Sequence, residues 1–559
     1  MIWLALDLEP FTMVNNKGLR YFFAKNFPKL QIPDESTLRK NYLQDVYEMV
    51  FDKVRSDLED VSTINLMFDG WTDRHHAMHY TGLRVQFIRD DWSGAVVTLS
   101  VKPCAGDADS ITEHIINEIT RFIPNYRDKL LFSTHDGAST MIKVSSLLKV
   151  RNWNHCVAHA LHLLLTTDAM KKVGNVMSLL QKCKGIVNSL HFKTEILERE
   201  VCNTNDRKAA AELLDKISRV KELQDADDQL EIDETNDEDM YEPCSAAAGS
   251  ENKHGMDFTA HKKVHRLQNE VPTRWNSSLQ MIQSLLHMKN EVSNALKLVG
   301  HYDKCFKSHE WTVLEELSTF LKSFNSLTEL VSTHITSLSL IPLIRAEITD
   351  SCKSNVKDCD EVKTLKQLIM KNIDKRLPMT NATILATLMD PSTKVLLQMM
   401  DTQKEQLLYD TAVSDLELAR GGRDAPGTEN EQVDAVEESA VDASTSEPVS
   451  KKQKLLKKHT PSTGFLPNDK LREEVRNYIA YKPAEDEDDP LEFWKKGSFP
   501  LLGKVAKAAL TQSASSVPVE NMFSTMGLIL NGKRSSLAPH RANWLSFIHD
   551  NYSVYYLTG

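Results

Sequence analysis

Two carboxylates stand in matching places in this 559-residue sequence, each closing a short apolar run and followed at once by glycine. The first is Asp69, in Ile64-Asn-Leu-Met-Phe-Asp69-Gly70-Trp71-Thr72-Asp73; the second is Asp136, in Lys129-Leu-Leu-Phe-Ser-Thr-His-Asp136-Gly137. An apolar run that ends in Asp-Gly reads as a buried strand meeting a turn, so each carboxylate is expected at the exposed carboxyl end of its strand. On adjacent strands two such groups form a hard oxygen pair, the donor type that suits magnesium and manganese. The neighbours Asp73 and His135 read either as support for that pair or as plain surface.

The elements that must carry these groups lie between and around them. Tyr80 to Ile88 and Gly94 to Val101 are strand-like runs, and Ser110 to Phe122 sets Ile111, Ile115, Ile116, Ile119 and Phe122 at helical spacing. A second helical pattern runs from Ala138 to Val150. Three strands, a helix, a strand bearing the second aspartate and another helix follow the order of an RNase H-like core, which predicts an α/β fold. From Ala158 to Pro500 the periodic segments are helical, including 158–183, 279–299, 312–331, 365–376 and 471–481. They predict a large all-α insertion.

A 41% hydrophobic fraction is that of a globular chain, and 559 residues allow several domains. No apolar run reaches the roughly 18 residues of a membrane span, and Met1-Ile-Trp-Leu-Ala-Leu meets Asp7 and Glu9 too soon for a secretory signal. A soluble intracellular protein is expected. The eight cysteines form no Cys-x-x-Cys pair, which argues against a disulfide framework and against a zinc finger within this chain. The nearest approach to a ligand cluster is His155-Cys156-x-x-His159-x-x-His162, where a strand enters a helix and Cys156 reads as a small core residue.

The net charge of −11 is a poor guide to partners. Asp225 to Glu242 holds ten carboxylates and no Lys or Arg, and Arg423 to Glu447 holds eight against one Arg, so these two segments supply more than the whole excess. Neither has apolar periodicity, and both read as disordered spacers. Beside the second lies Lys451-Lys452-Gln-Lys454-Leu-Leu-Lys457-Lys458, a basic cluster that an import receptor can reach, which points to the nucleus.

Three further features keep two readings each. Ser515-Ser516-Val-Pro518-Val-Glu520 looks like a helix start, where Glu520 complements the helix dipole or serves as a ligand. Arg274-Trp275 follows Pro272, with Trp275 either packed or stacking on an unpaired base and Arg274 able to meet a phosphate. The last block carries apolar helical stripes with Phe523, Trp544, Leu545, Phe547 and Ile548, as core or as interface.

Together, Asp69-Gly70-Trp71-Thr72, Thr134-His135-Asp136, Asn154-His155-Cys156-Val-Ala-His159-Ala-Leu161, Thr273-Arg274-Trp275-Asn276-Ser277, Leu388-Met-Asp390-Pro391 and Ser513 to Tyr552 resemble hAT-superfamily DDE transposases and their host-derived BED-type relatives. The motifs run in the right order over nearly the whole chain. The resemblance implies catalytic metal ligands at Asp69, Asp136 and Glu520, with Mg2+ or Mn2+ as cofactor if the protein is active. It implies DNA handling by Arg274 and Trp275 and a structural role for Cys156 and His159. It also implies a homodimer or higher oligomer through the block bearing Phe523, Trp544, Leu545, Phe547 and Ile548. The organisation it implies is a helical segment 1–60 and the first part of an RNase H-like core at 61–157. A helical insertion at 158–500 follows, with acidic stretches at about 224–256 and 420–460, and then a dimerisation region at 501–559 that completes the core.

Departures from the family pattern bear on activity. Asn521 stands where an arginine follows the glutamate, Ser139-Thr140 replaces the asparagine after the second aspartate, and no BED finger precedes Asp7-Leu-Glu-Pro10-Phe11. The leading expectation is therefore a nuclear, dimerising, transposase-derived DNA-binding protein with little or no catalysis. The alternative is an active DDE enzyme that cuts and joins DNA with two metals.

Overall fold

The computed structural model describes the chain except residues 74–76, 192, 194, 205–206, 208–266, 270–274, 334, 357, 422–466, 485–487, 531–536 and 558–559. Most of both acidic stretches, the Lys451–Lys458 cluster and Arg274 lie outside the described residues. The chain divides into two compact units, one made of Met1–Leu164, Ser326–Ser351 and Lys371–Gly559, the other of Leu165–Asn325 and Cys352–Met370.

The first unit is built on a five-stranded mixed sheet in the order β3-β2-β1-β4-β5. Its strands are β1 (Ile64–Asp73), β2 (Met78–Ile88), β3 (Gly94–Pro103), β4 (Leu130–His135) and β5 (Asn152–His155). β1, β2 and β3 form an antiparallel meander, while β4 and β5 add in parallel on the other side of β1. Parallel neighbours need crossovers. The helix Ala108–Phe122 lies between β3 and β4, and the helix Ser139–Leu148 between β4 and β5. Asp107 caps the first by accepting the Ser110 N–H at 2.9 Å, and its buried stripe of Ile111, Ile115, Ile119 and Phe122 has the expected three- and four-residue spacing.

One expectation about β1 is corrected. The strand does not turn at Asp69-Gly70 but runs on to Asp73, because Gly70, Trp71, Thr72 and Asp73 continue the antiparallel ladder with Thr81, Tyr80, His79 and Met78. Ladder pairing on one side outweighs the local turn preference of Asp-Gly.

The helices at the two ends of the chain close this core. Leu43–Asp60 buries Leu43, Tyr47, Val50, Val54 and Leu58, and Pro539–Tyr556 buries Leu545, Phe547 and Ile548. Tyr47, Phe51, Phe122 and Phe547 pack as one aromatic cluster, with Phe51–Phe122 centroids 4.4 Å apart and Tyr47–Phe547 centroids 5.0 Å apart. The C-terminal helix also covers the open edge of β3. Asn543 accepts the Val101 N–H at 2.7 Å, and Asn551 both accepts the Thr98 N–H and donates to the Thr98 carbonyl, each at 2.9 Å. Side-chain amides thus satisfy backbone groups that an edge strand would leave open.

In the second unit every element among the described residues is helical, including Gly174–His191, Trp275–His287 and Lys289–Leu298. The helix expected over 158–183 is two helices, Val157–Thr166 and Gly174–His191, parted by the 3-10 turn Met170–Lys172. Among the described residues no helix is long and apolar enough to cross a membrane.

Candidate functional site

Asp69 and Asp136 are brought side by side by strand pairing. β1 and β4 are parallel with Met67 opposite Thr134, and two residues further along each chain comes an aspartate. Adjacent strands lie about 4.8 Å apart. β4 ends at His135 while β1 continues against β2 alone, so Asp69 sits where the sheet opens. Each carboxylate is set by a local bond: Asp69 accepts the Gly70 N–H at 2.7 Å, and Asp136 accepts the Ala138 N–H at 2.9 Å. Gly137, directly after Asp136, has φ +82°, and a Cβ there would collide with the His155 ring, so only glycine fits the turn.

The third carboxylate arrives from far along the chain. Glu520 is exposed in the first turn of the helix Val517–Ile529, which opens with Pro518. The segment leading into this helix is sewn to the sheet. Thr134 donates its hydroxyl to the Ser513 carbonyl at 2.9 Å, Val157 N–H donates to Ala514 at 2.8 Å, and Ser516 N–H donates to the Cys156 sulfur at 3.3 Å. Arg84 of β2 donates to the Pro518 carbonyl at 2.9 Å. Gly82, the β2 partner of Asp69, leaves room for Met522 and Phe523, and Phe523 stacks on Trp71 at 5.9 Å. The Glu520 helix therefore rests on β1 and β2 at the level of Asp69.

Burial, the charge of Asp136 and the charge of Glu520 together push the Asp69 carboxyl up to about 7, against the opposing pull of the Gly70 N–H. A buried aspartate under the charge of two further oxygen acids suits a hard divalent cation, whose charge would relieve the repulsion. Among the described residues, however, no group of three or more His, Cys, Asp or Glu side chains closes into a ready cage. The three acids share a field without enclosing a point.

His135 is fully buried between the rings of Phe68 and Trp153, at centroid distances of 5.3 and 5.4 Å. Burial, with a smaller push from His155, lowers its pKa to about 4 against the opposing charge of Asp136, so the ring is neutral. Its Nδ1 accepts the Gly137 N–H at 3.1 Å, which assigns the proton to Nε2. Cys156 is 1% exposed and holds the Ser515-Ser516 segment, a packing role. His159 stacks on His162 at 6.2 Å.

Trp275 begins its helix in the second unit and is 5% exposed. Phe523, Leu545, Phe547 and Ile548 are buried within the chain itself, and Trp544 is partly buried against Tyr47 at 5.3 Å. Sequence reasoning missed Gly82, Arg84 and Gln86. Their signal was the presence of a cation, an amide and a glycine inside the otherwise apolar run Tyr80 to Ile88. Gln86 donates to Thr336 and Thr511 carbonyls, and Arg84 also meets Asp550 at 3.7 Å.

Comparison with known proteins gives two matches. Residues 474–552 match the model of the hAT family C-terminal dimerisation region. The chain is also 21% identical over 542 residues to human Zinc finger BED domain-containing protein 4, an alignment that covers 93% of this chain and 40% of that protein. The chain thus spans about two fifths of the length of this relative. The ordered motifs, the matched C-terminal region and the near full-length alignment make this chain a relative of the hAT superfamily.

Proposed function

We propose that this is a nuclear, dimeric, transposase-derived DNA-binding protein on an RNase H-like core, which retains a carboxylate site for a divalent cation. The observation that carries the site is the Asp69 carboxyl, raised to about 7 by burial and by the charges of Asp136 and Glu520. The strand order, with a three-stranded meander followed by two parallel additions, supports the core assignment. The match to a dimerisation region supports a homodimer. Its core residues are engaged within the protomer, so the contact falls to outward side chains such as Leu528, which is 60% exposed. The Lys451–Lys458 cluster supports nuclear import.

Asp69, Asp136 and Glu520 are the groups that would hold the cation, and their carboxylates would have to close on it from the open arrangement described above. When bound, magnesium or manganese supplies Lewis acidity to a phosphodiester. The chain's own part is positional: β1 and β4 fix the two aspartates, Arg84 and Gly82 seat the Glu520 helix, and neutral His135 fills the apolar space behind Asp136. Asn521 beside the glutamate and Ser139-Thr140 after the second aspartate favour binding without turnover. A second reading, an active DDE enzyme, is favoured by the retention of all three acids, with the charges of Asp136 and Glu520 both acting on Asp69.

One experiment separates the two. Purified chain is incubated with supercoiled plasmid and Mg2+ or Mn2+, alongside Asp69→Asn. The proposed function expects DNA retention in a gel-shift assay without metal-dependent nicking. Nicking that is abolished by Asp69→Asn establishes the second reading, and failure to retain DNA under any condition removes the first.

A further inference from the structure

Residues 15–31 form a finger on the first unit, exposed at every position except Leu19 and Phe23, which are half-buried. Its base is fixed at both ends: Val14 before it and Leu38 after it are buried with Leu4 in one small cluster, against which Ile32 packs. Inside the finger the ten-residue helix Lys17–Asn26 buries no side chain. A helix shorter than about 12–15 residues is marginal in water by itself and is ordinarily held by packing of an amphipathic face. This helix has such a face and leaves it open.

The face is aromatic. Leu19, Phe22, Phe23 and Phe27 fall on one side at helical spacing. Phe22 and Phe27 are each 52% exposed, and with Phe23 they form a ring cluster with centroids 5.5, 5.9 and 6.3 Å apart. Exposed apolar groups that cluster, unlike scattered ones, mark an interaction surface. The rim is cationic. Lys17, Arg20, Lys25 and Lys29 stand between Thr12 and Pro33, where the sequence has no carboxylate. At about 3.6 residues per turn, Arg20 and Lys25 flank the apolar stripe on its two sides. Arg20 donates to Asn15 at 3.3 Å, and the Lys25 ammonium lies 6.0 Å from the Tyr21 ring centre.

This charge pattern selects the occupant. The finger of a second copy would set four cations against four. A duplex meets the cations but offers the phenylalanines no apolar surface, and a bilayer gains little from four apolar side chains on ten residues. An apolar groove with an acidic rim complements both features, in the mode where a helix lays its stripe into a groove. Calcium opens such a groove, lined by methionine, in EF-hand sensors, and a basic amphipathic helix is the kind of ligand they take. We propose that this finger docks into the groove of a calcium-loaded EF-hand protein, with Phe22 and Phe27 as anchors and Arg20 and Lys25 against carboxylates of the rim. The inference is independent of the DNA-binding reading above.

The test titrates dansyl-labelled calmodulin with the full chain, in Ca2+ and in EGTA. Saturable binding is expected in Ca2+ and none in EGTA. Phe22→Ala and Phe27→Ala should each weaken it by about tenfold or more, as the loss of an aromatic anchor does. Arg20→Glu with Lys25→Glu should also weaken it by about tenfold and flatten its salt dependence. No saturable binding in Ca2+ overturns the proposal, as does equal binding in EGTA or an affinity that the double variant Phe22→Ala with Phe27→Ala leaves unchanged. Circular dichroism checks that each variant is folded; if the phenylalanine variants are not, the charge reversal at the exposed Arg20 and Lys25 decides on the same terms. Phosphatidylserine vesicles and a blunt DNA duplex are run in parallel. A loss in the variants confined to either of these assigns the finger to that surface and also overturns the proposal.

Discussion

The Cys156 sulfur accepts the backbone N–H of Ser516 at 3.3 Å, joining the end of β5 to the start of the Glu520 helix across 360 residues of sequence. A thiol is suited to this place because it is small, buried and a weak acceptor, with the Ser515 hydroxyl also at 3.5 Å. The Cys-x-x-His motif thus acts here through packing: Cys156 fixes where the third carboxylate emerges. Cys156→Ser should be tolerated within about 1 kcal/mol, whereas Cys156→Leu overpacks the joint and should cost about 1–3 kcal/mol. Urea unfolding followed by tryptophan fluorescence checks both, and equal midpoints for Leu and wild type would show that the joint is loose.

The pH response of the metal-free protein carries two opposed slopes. Asp69, raised from 3.8 to about 7 in the folded state, contributes stability that is present below 3.8 and lost as pH rises through about 7. His135, lowered from 6.5 to about 4, works the other way: its contribution is present above 6.5 and lost as pH falls through about 4. The two overlap, so the wild-type melting temperature should change little across the shared window. Asp69→Asn should leave a melting temperature that climbs with pH, and His135→Phe one that declines. A divalent cation competes with the proton on Asp69, so Mg2+ should raise the melting temperature more at the alkaline end, an effect absent in Asp69→Asn. Differential scanning fluorimetry with EDTA or Mg2+ reads all five curves.

Gly82 is the β2 partner of Asp69, and a Cβ there would sit 2.9 Å from the Phe523 ring while colliding with the tip of Met522. The methionine can swing away, but the ring is stacked on Trp71. Gly82→Ala should cost about 1–3 kcal/mol and push the Glu520 helix off the sheet. The loss of any Mg2+-induced stabilisation, larger than the loss of basal stability, would mark displacement of Glu520. A proportional decline of both would mark simple unfolding.

Much of this arrangement was legible in the sequence because strands and amphipathic helices announce themselves by period. The runs ending at Asp69 and Asp136 and the Ile111–Phe122 stripe needed no partner to be recognised. The continuation of β1 past Gly70 was not legible, since it depends on β2 supplying a ladder there. Glu520 could not be assigned from its spacing either, because its proximity to Asp69 comes from contacts such as Arg84 to Pro518, with 434 residues between them. Terminal aromatics such as Phe547 looked equally like core or interface, for a helical stripe records that a face is buried and not what buries it.

Arg84 and Asp550 form an ion pair at 3.7 Å with side chains only 7% and 8% exposed. Burial alone would raise the Asp550 pKa, but Arg84, with hydrogen bonds from His549 and Thr98, holds it below its usual value. Arg84→Met should therefore leave a buried carboxylate without its cation and cost about 3–5 kcal/mol. The double variant Arg84→Met with Asp550→Asn should recover much of that loss in a denaturation cycle. Independent, additive losses would show that the pair does not couple.

The last prediction separates core from interface within the C-terminal region. Phe547 is fully buried and meets Tyr47 at 5.0 Å, Phe122 at 6.0 Å and Phe51 at 6.5 Å, so it belongs to the protomer's own core. Phe547→Ala should cost about 3–5 kcal/mol whatever the oligomeric state, and deletion of residues 535–559 should unfold the first unit instead of yielding a clean monomer. Leu528, by contrast, is 60% exposed within the matched dimerisation region, and Leu557, at 59%, lies just beyond it. Placing a charge at an exposed apolar position leaves the protomer core intact but is unfavourable inside an interface. Leu528→Asp with Leu557→Asp should thus give a folded monomer by circular dichroism and multi-angle light scattering, while wild type is a dimer. A double variant that stays dimeric would move the interface to another surface, and a wild-type chain that is monomeric at high protein concentration would end the dimer proposal.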